Sequence, residues 1–190
     1  MNQKYELLAT DTKHFNGRTL YRIRALVAIG LTVTVGDLGG YIESEKNLST
    51  SDNAWVSDNA WVSGNAWVSG NAQVYGNAQV YGNAWVYGNA WVSGNAQVSG
   101  DAWVSGNAQV SGDGLVIWFS HVGSENGTLT VYNTKDNSLE VTRGCFRGSV
   151  DEFLTASENK HDDQTHLEYR MLIEVAYMRI TRAREKLGGV

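Results

Sequence analysis

This sequence predicts a mainly β chain built around a three-sided parallel solenoid, and three observations predict it. From Asn53 to Gly112 the hexad Asn-Ala-(Trp/Gln)-Val-(Ser/Tyr)-(Gly/Asp) occurs ten times without insertion or deletion, Asp101 alone replacing the leading Asn. A strict short period means stacked identical units. Within each hexad Ala and Val are separated by one residue, so on an extended strand both point to the same side. A Gly-Asn pair, suited to unusual backbone angles, then supplies a corner. Three such strands close a coil, and coils stack about 4.8 Å apart by parallel hydrogen bonding.

The expected domains are an N-terminal β cap over 1–46, the solenoid over 47–120, and a C-terminal hairpin and helical region over 121–190. In the cap, Lys4 to Leu8 and Arg18 to Leu26 read as strands, with Asn16-Gly17 as a hairpin turn. Arg18, Arg22 and Arg24 give it a basic side, and Val33 to Ile42 leads into an irregular first coil. A solenoid needs such caps because its end strands are unpaired.

Beyond the tenth hexad, Asp113 to Trp118 reads as a degenerate eleventh. Thr128 to Tyr132 and Leu139 to Thr142 are expected to pair. Ser149 and Glu152 form a capping box before a helix that runs to about Lys160. The polar run His161 to Gln164 breaks it, and a second helix spans His166 to Leu187. Between Met171 and Ile180 this helix is apolar nearly all round and needs cover on more than one side. Leu172, Val175, Ala176 and Ile180 are therefore expected at an oligomer contact.

Composition narrows the function. Net charge is −5, and no Lys or Arg occurs from Asn47 to Thr134, which removes the phosphate contacts nucleic-acid binding needs. One cysteine, Cys145, leaves no disulfide and no cysteine-rich zinc site, and it is expected to be a small packed residue. Proline is absent, as suits stacked short strands. The start has no secretory apolar stretch and Ala25 to Val35 is too short to span a bilayer, so a soluble cytoplasmic protein is expected.

Sorting the third hexad position onto three faces separates the aromatic residues. One face carries Trp67, Trp85 and Trp103; the second alternates Trp55, Gln73, Trp91, Gln109; the third carries Trp61, Gln79, Gln97. Tyr75, Tyr81 and Tyr87 form a belt at one level. Six outward indoles either stack on one another and stiffen the coil or form a contact surface, for which tryptophan is the favoured anchor. The contact residues expected are Trp67, Trp85 and Trp103, with Tyr87 and Trp91.

The repeat body contains no His, Lys, Arg, Glu or Cys, so a general base there is limited to Asp58 and Asp101. The ends offer His14, His121, His161 and His166. The run from His161 to His166 reads as a polar interhelix turn rather than a metal site. No metal or cofactor is expected.

With an aliphatic residue at one position and a small one four later, from Val56/Ala60 to Val104/Ala108, the repeat resembles the hexapeptide-repeat left-handed β-helix. That resemblance implies a left-handed coil and a homotrimer. It also raises an acetyl-CoA-dependent acyltransferase, with His121 as the candidate base. Asn16 to Leu26, Gly36 to Ser44 and Arg143 to Phe153 are similar to segments of phage and prophage proteins. The function expected is a non-enzymatic binding or scaffolding protein, phage-encoded, located in the bacterial host cytoplasm and acting on a host protein such as a defence protein. An acyltransferase and carbohydrate binding on the tryptophan ladder are the alternatives.

Overall fold

The computed structural model describes residues 3–188. β1 (Tyr5–Phe15) and β2 (Arg18–Ala25) form an antiparallel hairpin. Its turn residues Asn16 and Gly17 both have positive φ, 46° and 75°, as a two-residue primed turn requires. β1 is longer than the expected Lys4–Leu8 because a register shift between Leu8 and Thr12 lets pairing resume. β3 (Leu38–Ile42) joins cap to solenoid, antiparallel to β2 on one edge and parallel to a hexad strand on the other.

The hexad strands follow in order: β4 (Trp55–Val56), β5 (Trp61–Val62), β6 (Trp67–Val68), β7 (Gln73–Val74), β8 (Gln79–Val80), β9 (Trp85–Val86), β10 (Trp91–Ser93), β11 (Gln97–Val98), β12 (Trp103–Val104) and β13 (Gln109–Ser111). They sort into three parallel sheets, β4-β7-β10-β13, β6-β9-β12 and β5-β8-β11, the last extended by β3, β2 and β1. The result is a β-solenoid of about four turns.

Each hexad from Asn53 to Gly94 donates along the stack. Trp61, Ser63 and Asn65 give their N–H groups to the carbonyls of Ala78, Val80 and Gly82, at 3.0, 3.0 and 2.8 Å. Ala66 N–H closes the corner on Ser63 at 3.3 Å. The corners demand glycine on two grounds. Gly88 has φ of +72°, and a methyl group there would sit 2.9 Å from the Gly106 nitrogen one coil on. Every hexad Ala and Val from Ala54 to Val110 is buried and forms the solenoid core. Each buried Val contributes roughly 1.5–3 kcal/mol relative to exposure.

Both ends are closed by side chains. At the first coil, the carboxylates of Glu43, Asp52 and Asp58 accept the corner N–H groups of Gly64, Gly70 and Gly76, at 2.7, 2.5 and 2.9 Å. Buried Lys4 donates from Nζ to the carbonyls of Ser49 and Ala54, at 2.8 and 2.7 Å, and pairs with Asp52. At the last coil, Trp118, Arg147 and Leu187 lie over the corners Gly100, Gly106 and Gly112. Thr142 Oγ1 donates to the Trp103 carbonyl at 2.7 Å, while Thr130 Oγ1 accepts the Trp103 N–H at 3.1 Å.

The C-terminal sheet is antiparallel: β14 (Val116–Val122), β15 (Gly127–Asn133), β16 (Leu139–Arg143) and β17 (Phe146–Ser149). Asp113–Trp118 is therefore not an eleventh hexad. After Gly114 no glycine corner occurs until Gly123, so the chain stays extended and pairs with β15. α1 (Val150–Lys160) starts at the Ser149/Glu152 capping box. α2 (Asp163–Lys186) begins three residues before His166, because Asp162 accepts the Thr165 N–H at 2.7 Å as its cap.

Tyr169, Ile173, Ala176, Ile180 and Ala183 recur at heptad spacing and are buried in the chain's own core. This corrects the oligomer expectation at Ala176 and Ile180, which face inward; Leu172 packs partly against the same core. Val175 is exposed, in a stripe with Leu167, Met171 and Met178. Among the described residues no helix is long and apolar enough to cross a membrane.

Candidate functional site

Trp67, Trp85 and Trp103 stand on β6, β9 and β12 and pair directly across neighbouring coils. Their spacing follows from the hexad: three corners return the chain to the same face one coil later. Trp85 and Trp103 stack at 5.0 Å with an interplanar angle of 8°. Trp67 meets Trp85 edge-on, at 5.6 Å and 84°. Trp67 and Trp85 are each 38% exposed, and Trp103 is half-buried at the top of the column.

Two of the six indoles do not face solvent. Trp55 is 3% exposed and Trp61 is 7% exposed, which corrects the expectation of six outward tryptophans. The N-terminal hairpin is the reason. Phe15 packs on Trp61 at 4.8 Å, Tyr81 stacks on it at 5.6 Å, and Leu20 and Tyr41 complete that cluster. Trp55 joins the main core together with Tyr5 and Ala25.

Of the remaining contact residues, Tyr87 lies two positions beyond Trp85 and is half-buried. Trp91 is on a different sheet, 51% exposed, with Gln73 and Gln109 as its register partners and Tyr75 edge-on at 6.4 Å. The structure thus gathers Trp67, Trp85 and Trp103 and separates Trp91 from them.

At the top of the column the C-terminal sheet adds residues that the repeat alone did not indicate. Asp101, Trp103, Thr128, Thr142 and Arg143 border a groove of about 260 Å³. Arg143 donates from Nε to Tyr169 Oη and from Nη2 to the Val122 carbonyl, both at 3.1 Å. The run Thr142-Arg-Gly-Cys-Phe-Arg147 was the available signal, since it places a cation beside a turn.

The titratable groups serve mainly to hold the ends. Burial pushes Glu43 and Asp52 upward, but donors outweigh it: the Gly64 N–H and Arg18 for Glu43, and Ser49, Gly70 and Ala54 with Lys4 for Asp52. Both carboxyls therefore sit below the usual range. Burial also lowers Lys4 against the opposing pull of Asp52. Tyr132 is pushed up to about 12, chiefly by burial.

The histidines are dispersed. His14 Nδ1 meets Thr19 Oγ1 at 3.2 Å, His161 Nδ1 meets Ser124 Oγ at 3.4 Å, and His166 Nδ1 meets Ser157 Oγ at 3.2 Å. His121 is exposed with φ of +60° at an irregularity in β14. Cys145 is exposed, contrary to the expected packed residue, because Gly144-Cys145 forms the tight link between β16 and β17. Among the described residues no cluster of three or more His, Cys, Asp or Glu is placed to hold a metal ion.

Three stretches, residues 60–76, 78–94 and 96–114, match the family model described as the YdcK Beta solenoid repeat. The chain is a β-solenoid repeat protein. The match lies within the coils and reaches just past them, and does not extend to the hairpin cap or the helices. No curated protein matches the chain.

Proposed function

We propose that this protein is a non-enzymatic binding or scaffolding protein whose contact surface is the Trp67/Trp85/Trp103 face. The observation that carries this is the exposure that survives stacking: Trp67 and Trp85 each keep 38% of their surface open while aligned in one column. Trp85 and Trp103 stack face to face and Trp67 meets Trp85 edge-on, and the indole surface left open along this column is the kind that marks an interface. Trp is also the residue that most often anchors one.

The likeness of Asn16–Leu26, Gly36–Ser44 and Arg143–Phe153 to phage-type segments supports a phage- or prophage-encoded protein with a host protein, such as a defence protein, as partner. The stripe Leu167, Met171, Val175, Met178 supports self-association, a trimer by analogy of fold. An acyltransferase has weaker support, because the coils carry no His, Lys, Arg, Glu or Cys.

Hydroxyl-radical footprinting tests the contact face. Oxidation of Trp67 and Trp85 should fall when dilute protein is concentrated or mixed with host extract, while Trp91 stays reactive. Equal oxidation of both indoles under all three conditions would refute the assignment.

One observation favours carbohydrate binding as a second reading, at Trp91 rather than on the ladder. Trp91 is the most exposed indole and lies between the amides of Gln73 and Gln109, an aromatic platform flanked by hydrogen-bonding groups. A shift of indole fluorescence with glycans that disappears in Trp91→Ala would support it; no shift with any glycan would oppose it.

A further inference from the structure

The C-terminal module holds a second cavity, of about 330 Å³, between α1, α2 and the β16–β17 link. Its volume falls in the roughly 300–1,000 Å³ range of small-molecule sites. Three basic side chains line it, Arg143, Lys160 and His161, against a single carboxylate, Glu125. The apolar wall is aromatic: Phe146 meets Phe153 at 5.3 Å, Phe153 meets Tyr169 at 5.1 Å, and His161 lies 5.6 Å from Tyr169.

Arg143 is held but not neutralised. Arg143 is fixed by Tyr169 Oη and the Val122 carbonyl, both neutral acceptors. Among the described residues neither Arg143 nor Lys160 forms an ion pair, whereas Arg147 on the next strand is paired with Glu140. An arginine oriented in advance loses little freedom on meeting a carboxylate and presents a planar fork to it.

From this geometry we infer that the cavity binds a small organic carboxylate with an aromatic or acyl body. The basic side takes the carboxylate, and the aromatic wall takes the apolar body. An inorganic anion would leave the aromatic wall wet, and a neutral apolar molecule would leave the cations unmatched. The cavity shares Arg143 and Gly144 with the groove beside Trp103, but its aromatic wall and Lys160 lie outside that groove, and the inference does not rest on the tryptophan contact face.

Cys145 lies on the cavity wall and is the only cysteine, so it reports occupancy directly. The test is the rate of Cys145 alkylation by N-ethylmaleimide in the full chain, with 3-phenylpropionate, 3-phenylpropionamide or inorganic phosphate added. Saturable slowing by 3-phenylpropionate alone is expected, roughly threefold when its concentration is twice the dissociation constant. Lys160→Gln, at an exposed helix end, should weaken that protection while leaving the melting temperature unchanged. Arg143→Gln should abolish it, provided that circular dichroism shows the variant folded. An alkylation rate unmoved by millimolar 3-phenylpropionate would overturn the inference. So would equal protection by the amide or by phosphate, or undiminished protection in Lys160→Gln together with a folded Arg143→Gln.

Discussion

Asp58 and Gly76 meet across adjacent coils: the Asp58 carboxylate accepts the Gly76 N–H at 2.9 Å from a backbone with φ of +55°. Every later hexad has glycine at that position. Asp58 therefore accepts a backbone strain that glycine avoids, and gains a charge-assisted hydrogen bond to the stack. Asp58→Ala keeps the strain and loses the bond, so it should destabilise by about 1–2 kcal/mol. Asp58→Gly loses both and should lie closer to wild type. Urea unfolding of the two variants checks the order; Asp58→Ala at least as stable as Asp58→Gly would contradict it.

Acid should loosen the first coil before neutral conditions do. Glu43 and Asp52 are held below their ordinary range in the folded chain. Their contribution is fully present above the unfolded carboxylate values, about pH 4, and is lost as pH falls through the lower folded values. The urea midpoint should decline below about pH 4, and Asp52→Asn should flatten that decline. An acid slope unaffected by Asp52→Asn would remove this role.

Gly40 has no room for a side chain. A methyl group would come within 2.5 Å of the Ala60 carbonyl oxygen and 2.7 Å of Val56 Cγ1. Gly40→Ala should cost about 1–3 kcal/mol through overpacking. Gly30, with nothing within 4 Å of such a group but φ of +59°, separates backbone strain from crowding. Its alanine variant should cost about 1–2 kcal/mol, measured by thermal unfolding.

The architecture was legible wherever one hexad predicts its neighbour. Ala84 and Val86 point inward and Trp85 outward because alternation and an uninterrupted period leave no other register. The same periodicity misjudged Trp55 and Trp61, since a repeat describes faces as if nothing covered them. The β1–β2 hairpin and β3 cover Trp61 through Phe15, Leu20 and Tyr41, and Trp55 joins a core that includes Tyr5 and Ala25, all residues outside the repeat. α2 misled for a related reason. Apolar residues on both sides look alike in sequence, and only the packed sheet separates Ala176 and Ile180 from Met171 and Val175. Arg143 could not be placed at the column's top, because no pattern in the chain relates β16 to Trp103.

That separation on α2 gives a paired prediction. Ile180→Ala opens the core and should cost about 2–5 kcal/mol without altering the mass of the folded species. Met171→Glu leaves the core intact and should lower the mass of any assembly built on the exposed stripe. Light scattering and unfolding on both variants check it; a Met171→Glu assembly of unaltered mass would remove the stripe from the interface.

The most direct test of the tryptophan face is Trp85→Glu beside Gln97→Glu, which places the same charge at the same hexad position on another face. Host-protein retention on the immobilised chain and mass by light scattering are measured for both, after circular dichroism shows each folded. The predicted result is loss of retention or of assembly in Trp85→Glu, by roughly tenfold or more for a hot-spot residue, with Gln97→Glu unchanged. Equal retention and equal mass in the two variants would contradict the central claim.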